Sequence, residues 1–233
     1  MLYSLTSVPI EDCASFLVNP YTAVGILDTA KQDGSAGALV HTAAASQLGQ
    51  MLNKLALMRG VEIINVVRRP DQKELLEKLG AKHVVVTEGE EKEWKAELKA
   101  KAKKVGATVA FDAVSGDMTG HLLECLPDRG TVRLYGGLAG RAGNINPSDL
   151  IYRKKQIKSF FLTNWIQDGG SLMMVPRLLM AGRVVNMGLK GPKGWCCTQF
   201  QDTTMEKAHE DIVGLLGGSV TGKKLRIRFD GKA

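Results

Sequence analysis

The sequence of 233 residues has few cysteines, few aromatic residues and no long apolar run. Its four cysteines stand at positions 13, 125, 196 and 197, a spacing that fits neither a disulfide framework nor a Cys-x-x-Cys metal site. No uninterrupted apolar stretch reaches ~18 residues, so the sequence predicts no membrane-spanning helix. The first residues also lack the basic and then apolar segments of a secretory signal. We therefore expect an intracellular protein, either cytoplasmic or mitochondrial, with no membrane partner.

Acidic residues are outnumbered, because 31 lysines and arginines stand against 24 aspartates and glutamates and give a net charge of +7. Such a balance raises the question of nucleic acid binding. Many of the lysines lie in residues 92–104, where glutamates are interleaved with them, and this pattern is typical of a solvated helix face. Aromatic residues make up only 6% and do not alternate with the basic ones as a base-stacking surface would require. We therefore expect no nucleic acid partner.

From about residue 35 the chain alternates short β-branched runs with amphipathic stretches. Predicted strands cover 38–42, 61–67, 83–86, 107–114, 130–135 and 157–163, and predicted helices cover 47–58, 73–79, 91–104, 118–126 and 148–155. This alternation is typical of β-α-β units and a parallel sheet. Strands rich in Val and Ile fit a sheet that is covered on both faces. The sequence thus predicts an α/β fold with a doubly wound parallel sheet.

The pattern changes after about residue 183. A strand over 195–200, a helix over 205–216 and a strand over 224–229 are predicted there. In the last strand Leu225, Ile227 and Phe229 alternate with basic residues, which predicts one buried and one wet face. We expect this tail to belong to a second domain.

The turn after the first predicted strand occupies the place of a glycine-rich, dinucleotide-binding turn. Against the pattern G-x-G-x-x-G it reads Ala-Ala-Ser-Gln-Leu-Gly over 44–49, so only the third glycine is present. Small residues still let the backbone approach a pyrophosphate, and the helix start offers free N–H groups. An alanine-rich turn that merely packs a helix on a strand remains the alternative at this point.

Two arginines follow the second predicted strand, about 19 residues beyond Gly49. A fold that selects NAD carries Asp or Glu there to bind the ribose hydroxyls. Arg68 and Arg69 stand there instead, and a guanidinium binds a 2′-phosphate in bidentate fashion. Asp71 comes later, behind Pro70, where capping of a helix is its plainer role. We therefore predict NADPH, with two exposed loop arginines as the alternative.

With this turn and these two arginines, the sequence resembles the medium-chain dehydrogenase/reductase superfamily, in its zinc-free branch of quinone oxidoreductases and 2-enoyl thioester reductases. The Asn-Val-Val-Arg segment at 65–68 and the aromatic-Leu-polar-Trp segment ending at Trp165 are most similar to the enoyl thioester reductases. The segments that carry the resemblance are 18–23, 45–50, 65–71, 79–84, 111–116, 135–137, 160–165 and 221–225.

The resemblance implies a Rossmann-like domain and a set of cofactor contacts. On the adenosine side, the pyrophosphate would be bound by Ser46, Gln47 and Leu48, the 2′-phosphate by Arg68 and Arg69, and the ribose would lie beside Val114 and Ser115. The nicotinamide half would be approached by Gly136, Gly137 and Leu138, and Asn19 and Thr22 would lie near the nicotinamide. The wall of the pocket would be formed by Phe161 and Leu162. Plain core or dimer-edge packing is the alternative for the aromatic segment around Phe161.

The resemblance also implies how the chain is divided. Residues 1–14 would join a missing N-terminal domain, 15–182 would form the NADP-binding domain, and 183–233 would be a returning segment of a GroES-like catalytic domain. The family's proton-donating tyrosine would lie in the absent part, so no residue here is assigned a catalytic role. The implied function is NADPH-dependent reduction of an activated C=C bond or a quinone. A non-catalytic NADPH-binding or interaction module, with little turnover of its own, is the alternative.

The resemblance further implies a homodimer through the strand predicted over 157–163, whose aromatic residues would offer an apolar, unpaired edge. No zinc site is expected, because Cys196 and Cys197 are adjacent and His121 with Cys125 supplies only two ligands.

Three other families are disfavoured by the residues. The P-loop-like segment 217–224 ends in Lys224 where a P-loop has Ser or Thr, and it precedes a strand rather than a helix. A methyltransferase that binds S-adenosylmethionine would want an acidic residue where Arg68 stands. No Tyr-x-x-x-Lys of a short-chain dehydrogenase is present.

Overall fold

The computed structural model describes residues 16–35, 37–189, 194–198, 200–217 and 224–229, without the side chains of 215–217. Six parallel strands form its central sheet, in the order β3-β2-β1-β4-β5-β6. The strands are β1 Ala38–His41, β2 Glu62–Val67, β3 His83–Val86, β4 Val109–Asp112, β5 Thr131–Leu134 and β6 Gln156–Ser159. This order confirms the predicted doubly wound, Rossmann-like α/β fold.

Nine helices are described in these ranges, and the residues that start and end them fit their local chemistry. They are α1 Val18–Gln32, α2 Gln47–Arg59, α3 Pro70–Lys78, α4 Glu91–Val105, α5 Asp117–Cys125, α6 Pro147–Ile151, α7 Leu162–Gln167, α8 Gly170–Gly188 and α9 Ala208–Gly217. The ends of α2 and α4 are glycines in the left-handed region, Gly60 and Gly106. None of the described helices combines the length and the apolar character that a bilayer crossing needs.

Apolar side chains cover both faces of the sheet. On one face α1, α2 and α8 pack on Leu39, Val109 and Phe111, and on the other α4 and α5 pack on Val40 and Ile64. The strand order reverses between β1 and β4, which are neighbours in the sheet. The connection after β1 leads to β2 on one side, and the connection after β4 leads to β5 on the other side. The carboxyl ends of these two strands therefore open a crevice, the usual place for a ligand in such sheets.

The sixth strand is shorter than the sequence predicted. It ends at Ser159, and the residues from Leu162 onward form α7, so the prediction of a strand over 157–163 is wrong at its C-terminal end. Phe160 is buried and meets Phe111 edge to face, while the indole N–H of Trp165 donates to Asp28 at 2.8 Å. The aromatic segment is thus held against β4 by Phe160 and against α1 by Trp165. Strand and helix are hard to distinguish in a short apolar run from periodicity alone.

The C-terminal predictions also need correction. The strand expected over 195–200 is β7 Phe200–Thr203, and it pairs in parallel with β8 Lys224–Ile227. Trp195 and Cys196 are buried against α8 instead. The predicted buried face of the last strand is wrong, because the residues of β8 are only half-buried and Phe229 is 86% exposed.

The long helix α8 was not predicted, and it runs across the expected domain division at 182/183. Residues on both sides of that point, such as Ala181 and Val184, belong to the same core. The division into 1–14, 15–182 and 183–233 stays a prediction, and its first segment lies outside the described residues.

A buried ion pair anchors the connection from α6 to β6. The Lys155 side chain has no exposed surface, and its ammonium donates to the carbonyl oxygens of Leu123 and Glu124 at 2.7 and 3.3 Å. Asp149 Oδ1 lies 2.8 Å from the same nitrogen. Burial of a charge is costly unless the partner and the hydrogen bonds are complete, as they are here.

We predict that Lys155→Met destabilises the chain by about 3–5 kcal/mol, because it removes the close, buried partner of Asp149 and leaves that carboxylate only the exposed Arg153 at 3.8 Å. The neighbouring exposed Lys154 provides the control, and Lys154→Met is expected to change stability by less than about 0.5 kcal/mol. Urea unfolding followed by circular dichroism measures both. Equal stabilities of the two variants would contradict the proposed anchoring.

Candidate cofactor site

A cavity of about 400 Å³ opens at the carboxyl ends of β1, β2 and β4, in the crevice that the strand order creates. Its volume lies in the range of small-molecule sites. Four of the predicted contact residues line it, namely Ser46, Arg68, Val114 and Leu138. The other lining residues are Thr42, Ala43, Ala45, Val66, Val67, Gln72, Thr87, Met118 and Ala139.

The turn from β1 into α2 forms one wall of the cavity. Ser46 caps the helix, since its hydroxyl oxygen accepts the N–H of Gly49 at 3.1 Å. A side chain at Gly49 would bring its Cβ to 2.2 Å from the carbonyl oxygen of Ala44, so the third glycine of the pattern is sterically required. The first N–H groups of a helix have no partner within the helix, and they suit an anion.

Asp112, at the end of β4, joins this turn to the next wall. Its buried carboxylate accepts the hydroxyl of Thr42 at 2.9 Å and that of Thr119 at 2.8 Å. The same carboxylate accepts the backbone N–H groups of Val114 at 2.9 Å and Ser115 at 3.2 Å. Both oxygens are thus bonded, and the backbone at Val114 and Ser115 is fixed against the cavity.

The two predicted phosphate-binding arginines have different surroundings. Arg68 is exposed, and it is the single charged residue among those that line the cavity. Arg69 lies outside the lining and donates from Nε and Nη2 to the two carboxylate oxygens of Asp71 at 3.0 and 3.3 Å. This pair lowers the pKa of Asp71 and raises that of Arg69. The structure therefore gives Asp71 a partner in Arg69, and its carboxylate also accepts backbone N–H groups of Asp71 and Gln72 in the first turn of α3, in keeping with the expected capping role.

Sequence reasoning missed Gln72, the third residue of α3, which lines the cavity beside Arg68. Its side-chain oxygen accepts the backbone N–H of Arg68 at 3.0 Å and that of Arg69 at 3.2 Å. A glutamine three residues after the helix cap is the sign of a capping box, and this pattern could have identified it.

The buried His41, at the end of β1, pairs with the half-buried Tyr135, which directly follows β5. Tyr135 Oη lies 2.6 Å from His41 Nε2, and the rings are nearly parallel. Burial lowers the pKa of His41 to about 3 and raises that of Tyr135. His41 is therefore neutral at physiological pH, and the pair holds the chain directly before Gly136.

The remaining predicted contacts do not line the cavity. Gln47 is buried, Leu48 packs on the core, Ser115 is buried with φ of 65°, Gly136 and Gly137 are exposed after β5, Phe161 is exposed, Leu162 packs on the core, and Asn19 and Thr22 lie on α1. The cavity thus brings together one residue of each group predicted for the pyrophosphate, the 2′-phosphate and the adenosine ribose, namely Ser46, Arg68 and Val114, together with Leu138. The predicted contacts around the nicotinamide stay a prediction.

Metal ligands are sparse in the described part of the chain, where no three His, Cys, Asp or Glu side chains come together as a candidate site. Cys125 is buried, and desolvation raises the pKa of its thiol to about 12, so it is a structural, unreactive side chain.

A Rossmann-type sheet with a crevice at β1 and β4 and an arginine after β2 defines a dinucleotide-binding domain of the dehydrogenase class. The chain belongs to the zinc-binding dehydrogenase family, whose sequence model matches residues 48–174. This confirms the predicted membership of the medium-chain dehydrogenase/reductase superfamily, among the quinone and enoyl thioester reductases.

Relatives of known identity extend beyond this chain. The mitochondrial enoyl-[acyl-carrier-protein] reductase of Bos taurus is 33% identical over 168 residues, which are 70% of this chain and 44% of that protein. The human enzyme is 32% identical over the same shares. The chain therefore spans less than half the length of these two relatives.

Solved structures agree in fold. A Mesorhizobium loti protein assigned as an NADPH:quinone reductase has a TM-score of 0.80 and 29% identity, over 95% of this chain and 61% of that one. A mutant form of enoyl thioester reductase from Candida tropicalis has a TM-score of 0.71 and 19% identity, over 95% of this chain and 62% of that one. At the lower identity the likeness concerns the fold.

The neutral state of His41 predicts a loss of stability in acid. Its pKa in the folded chain is about 3, against 6.5 for an exposed histidine, so the unfolded chain binds the proton first. The contribution is complete above pH ~6.5 and is lost as the pH falls toward ~3, by at most about 1.4 kcal/mol per pH unit. Unfolding of the native chain and of His41→Gln, measured from pH 7 to pH ~4, should show a shallower slope for the variant. Parallel slopes would contradict the assignment.

Proposed function

We propose that this chain supplies the NADPH-binding part of an oxidoreductase that transfers hydride to an activated C=C bond or to a quinone. The observation that carries the proposal is Arg68, the one charged side chain lining the cavity at the end of β2. An acidic residue at this place would repel a 2′-phosphate, whereas a guanidinium binds it.

The residues of the cavity fit the cofactor in charge and in shape. The free N–H groups at the start of α2 would bind the pyrophosphate, and Gly49 permits the close approach of this helix to the turn. Arg68 would hold the 2′-phosphate, while Val114 and Met118 would pack on the adenosine half. NADPH supplies the hydride when it is bound, and the protein contributes binding and orientation.

The substrate class rests on the relatives. The likeness to enoyl-[acyl-carrier-protein] reductases supports an enoyl thioester as the substrate, and the likeness to the Mesorhizobium loti protein supports a quinone. The mitochondrial names of the former favour a mitochondrial location over a cytoplasmic one. A module that binds NADPH without turnover is the second candidate. NADPH consumption in the presence of each substrate separates these functions.

We predict that NADPH binds more tightly than NADH and that Arg68→Ala removes most of this preference. A lost charge-assisted contact of about 1.5–3 kcal/mol corresponds to a roughly ten- to hundredfold loss of NADPH affinity. Arg69→Ala is expected to cost less, because Asp71 already holds its guanidinium at 3.0 Å. Titration calorimetry with both cofactors measures this. Equal affinity of the unmutated chain for NADH and NADPH would overturn the proposed cofactor.

We further infer that two copies of the chain pair through β6, with the interface strand now placed at Gln156–Ser159. The N–H groups of Gln156 and Phe160 bond to the β5 side at 2.9 and 2.8 Å, so those of Ile157 and Ser159 face away from the sheet. An edge with outward donors is a template for a second strand. Two cations lie at this edge: Lys158 is 3.8 Å from Asp33, and Arg133 donates to the carbonyl oxygen of Ser159 at 2.8 Å.

Ser159→Pro removes one outward N–H and is expected to convert a dimer into a monomer, because proline cannot donate to the added strand. Ser159→Ala keeps this donor and should leave the dimer intact. Sedimentation velocity at micromolar concentration distinguishes the two masses. A monomeric mass for the unmutated chain would contradict the pairing.

A further inference from the structure

We propose that Gln72 is a positioning residue that sets the preference of this site for a 2′-phosphate, an inference that rests on the NADPH proposal above. It acts through the backbone of Arg68, and its lack of charge is part of the function. Arg68 is the phosphate-binding group, while Gln72 decides where that group stands and in which electrostatic surroundings.

The geometry at the start of α3 supports this role. One side-chain oxygen of Gln72 accepts two successive N–H groups, those of Arg68 at 3.0 Å and Arg69 at 3.2 Å. The turn between β2 and α3 is thereby fixed from the side of the helix. Because Gln72 is half-buried and lines the same cavity as Arg68, it lies close to the place of the phosphate.

Asp71 complements this arrangement by holding the second guanidinium. Arg69 donates two bonds to the Asp71 carboxylate, which compensates its charge. Arg68 takes part in no salt bridge within the described residues, where Glu88 is the other acidic group near this turn. One arginine is thus held by an aspartate, and the other stays available at the cavity.

The absence of charge on the Gln72 amide matters, because a carboxylate could accept the same two backbone hydrogen bonds. Glutamate at position 72 would accept both N–H groups, but it would place a negative charge beside Arg68. Dinucleotide folds that select NAD use such an acidic group after the second strand. The carboxylate would pair with Arg68 and repel the 2′-phosphate. It would not change the contacts to the parts that NADPH and NADH share.

The test uses three variants of the whole chain and titration calorimetry with NADPH and NADH. Gln72→Glu is expected to lower the affinity ratio of NADPH to NADH by about tenfold or more, with NADH affinity nearly unchanged. The loss should shrink at higher ionic strength, since it is electrostatic. Gln72→Met removes the acceptor without adding charge, and it should lower the ratio a few-fold with little salt dependence. Gln201→Glu, at the exposed position of β7, adds the same charge elsewhere and serves as the control.

The outcomes separate this inference from the proposal on which it rests. An unmutated chain that binds neither cofactor, or binds both equally, overturns the NADPH proposal. An unmutated chain that prefers NADPH, together with an unchanged ratio in both Gln72 variants, overturns the role of Gln72. A Gln72→Glu chain that fails to fold leaves the Met variant to decide, and an equal loss in Gln201→Glu would assign the effect to net charge.

Discussion

The candidate site depends on one buried carboxylate, that of Asp112. A charge in the interior is tolerated only when its hydrogen bonds are complete, and this one accepts two threonine hydroxyls and two backbone N–H groups. The donors come from the end of β1, from the residues after β4 and from α5. Thr42 in turn accepts the N–H of Ala113 at 2.8 Å. The two strands that open the crevice are therefore tied together where the cavity begins.

The charge at the edge of the cavity comes from the short turn between β2 and α3, and our proposal assigns the selectivity of the site to this turn. Two adjacent arginines have similar side chains, and a sequence reading treats them as equivalent. Their partners differ, because Asp71 pairs with Arg69 and the cavity is lined by Arg68. Ionic partners in water contribute little to stability, so the value of this surface pair lies in orientation. The local charge thus depends on which carboxylate lies within reach of each arginine.

The sequence predicted the fold well, because the β-branched runs of β1 to β5 alternate with strongly periodic helices. It was less reliable where apolar residues serve tertiary contacts, as at Phe160 and Trp165, which pack on α1 and end β6 early. At the site, position along the chain identified Arg68, and the turn motif identified Ser46. The pairing of Arg69 with Asp71 and that of His41 with Tyr135 could not be predicted, since they depend on side-chain directions.

The glycine-poor turn has a physical explanation that links it to Arg68. Only Gly49 stands where a Cβ would collide with backbone, so the other glycines of the pattern are dispensable for the fold. Ala43 adopts the left-handed region with φ of 49°, a conformation that costs about 1–2 kcal/mol outside glycine. Ser46 fills the place of the second glycine and bonds the N–H of Gly49, which removes one donor from those open to an anion. Because one donor of the turn is already used, we expect the proposed binding of NADPH to depend more strongly on the guanidinium of Arg68.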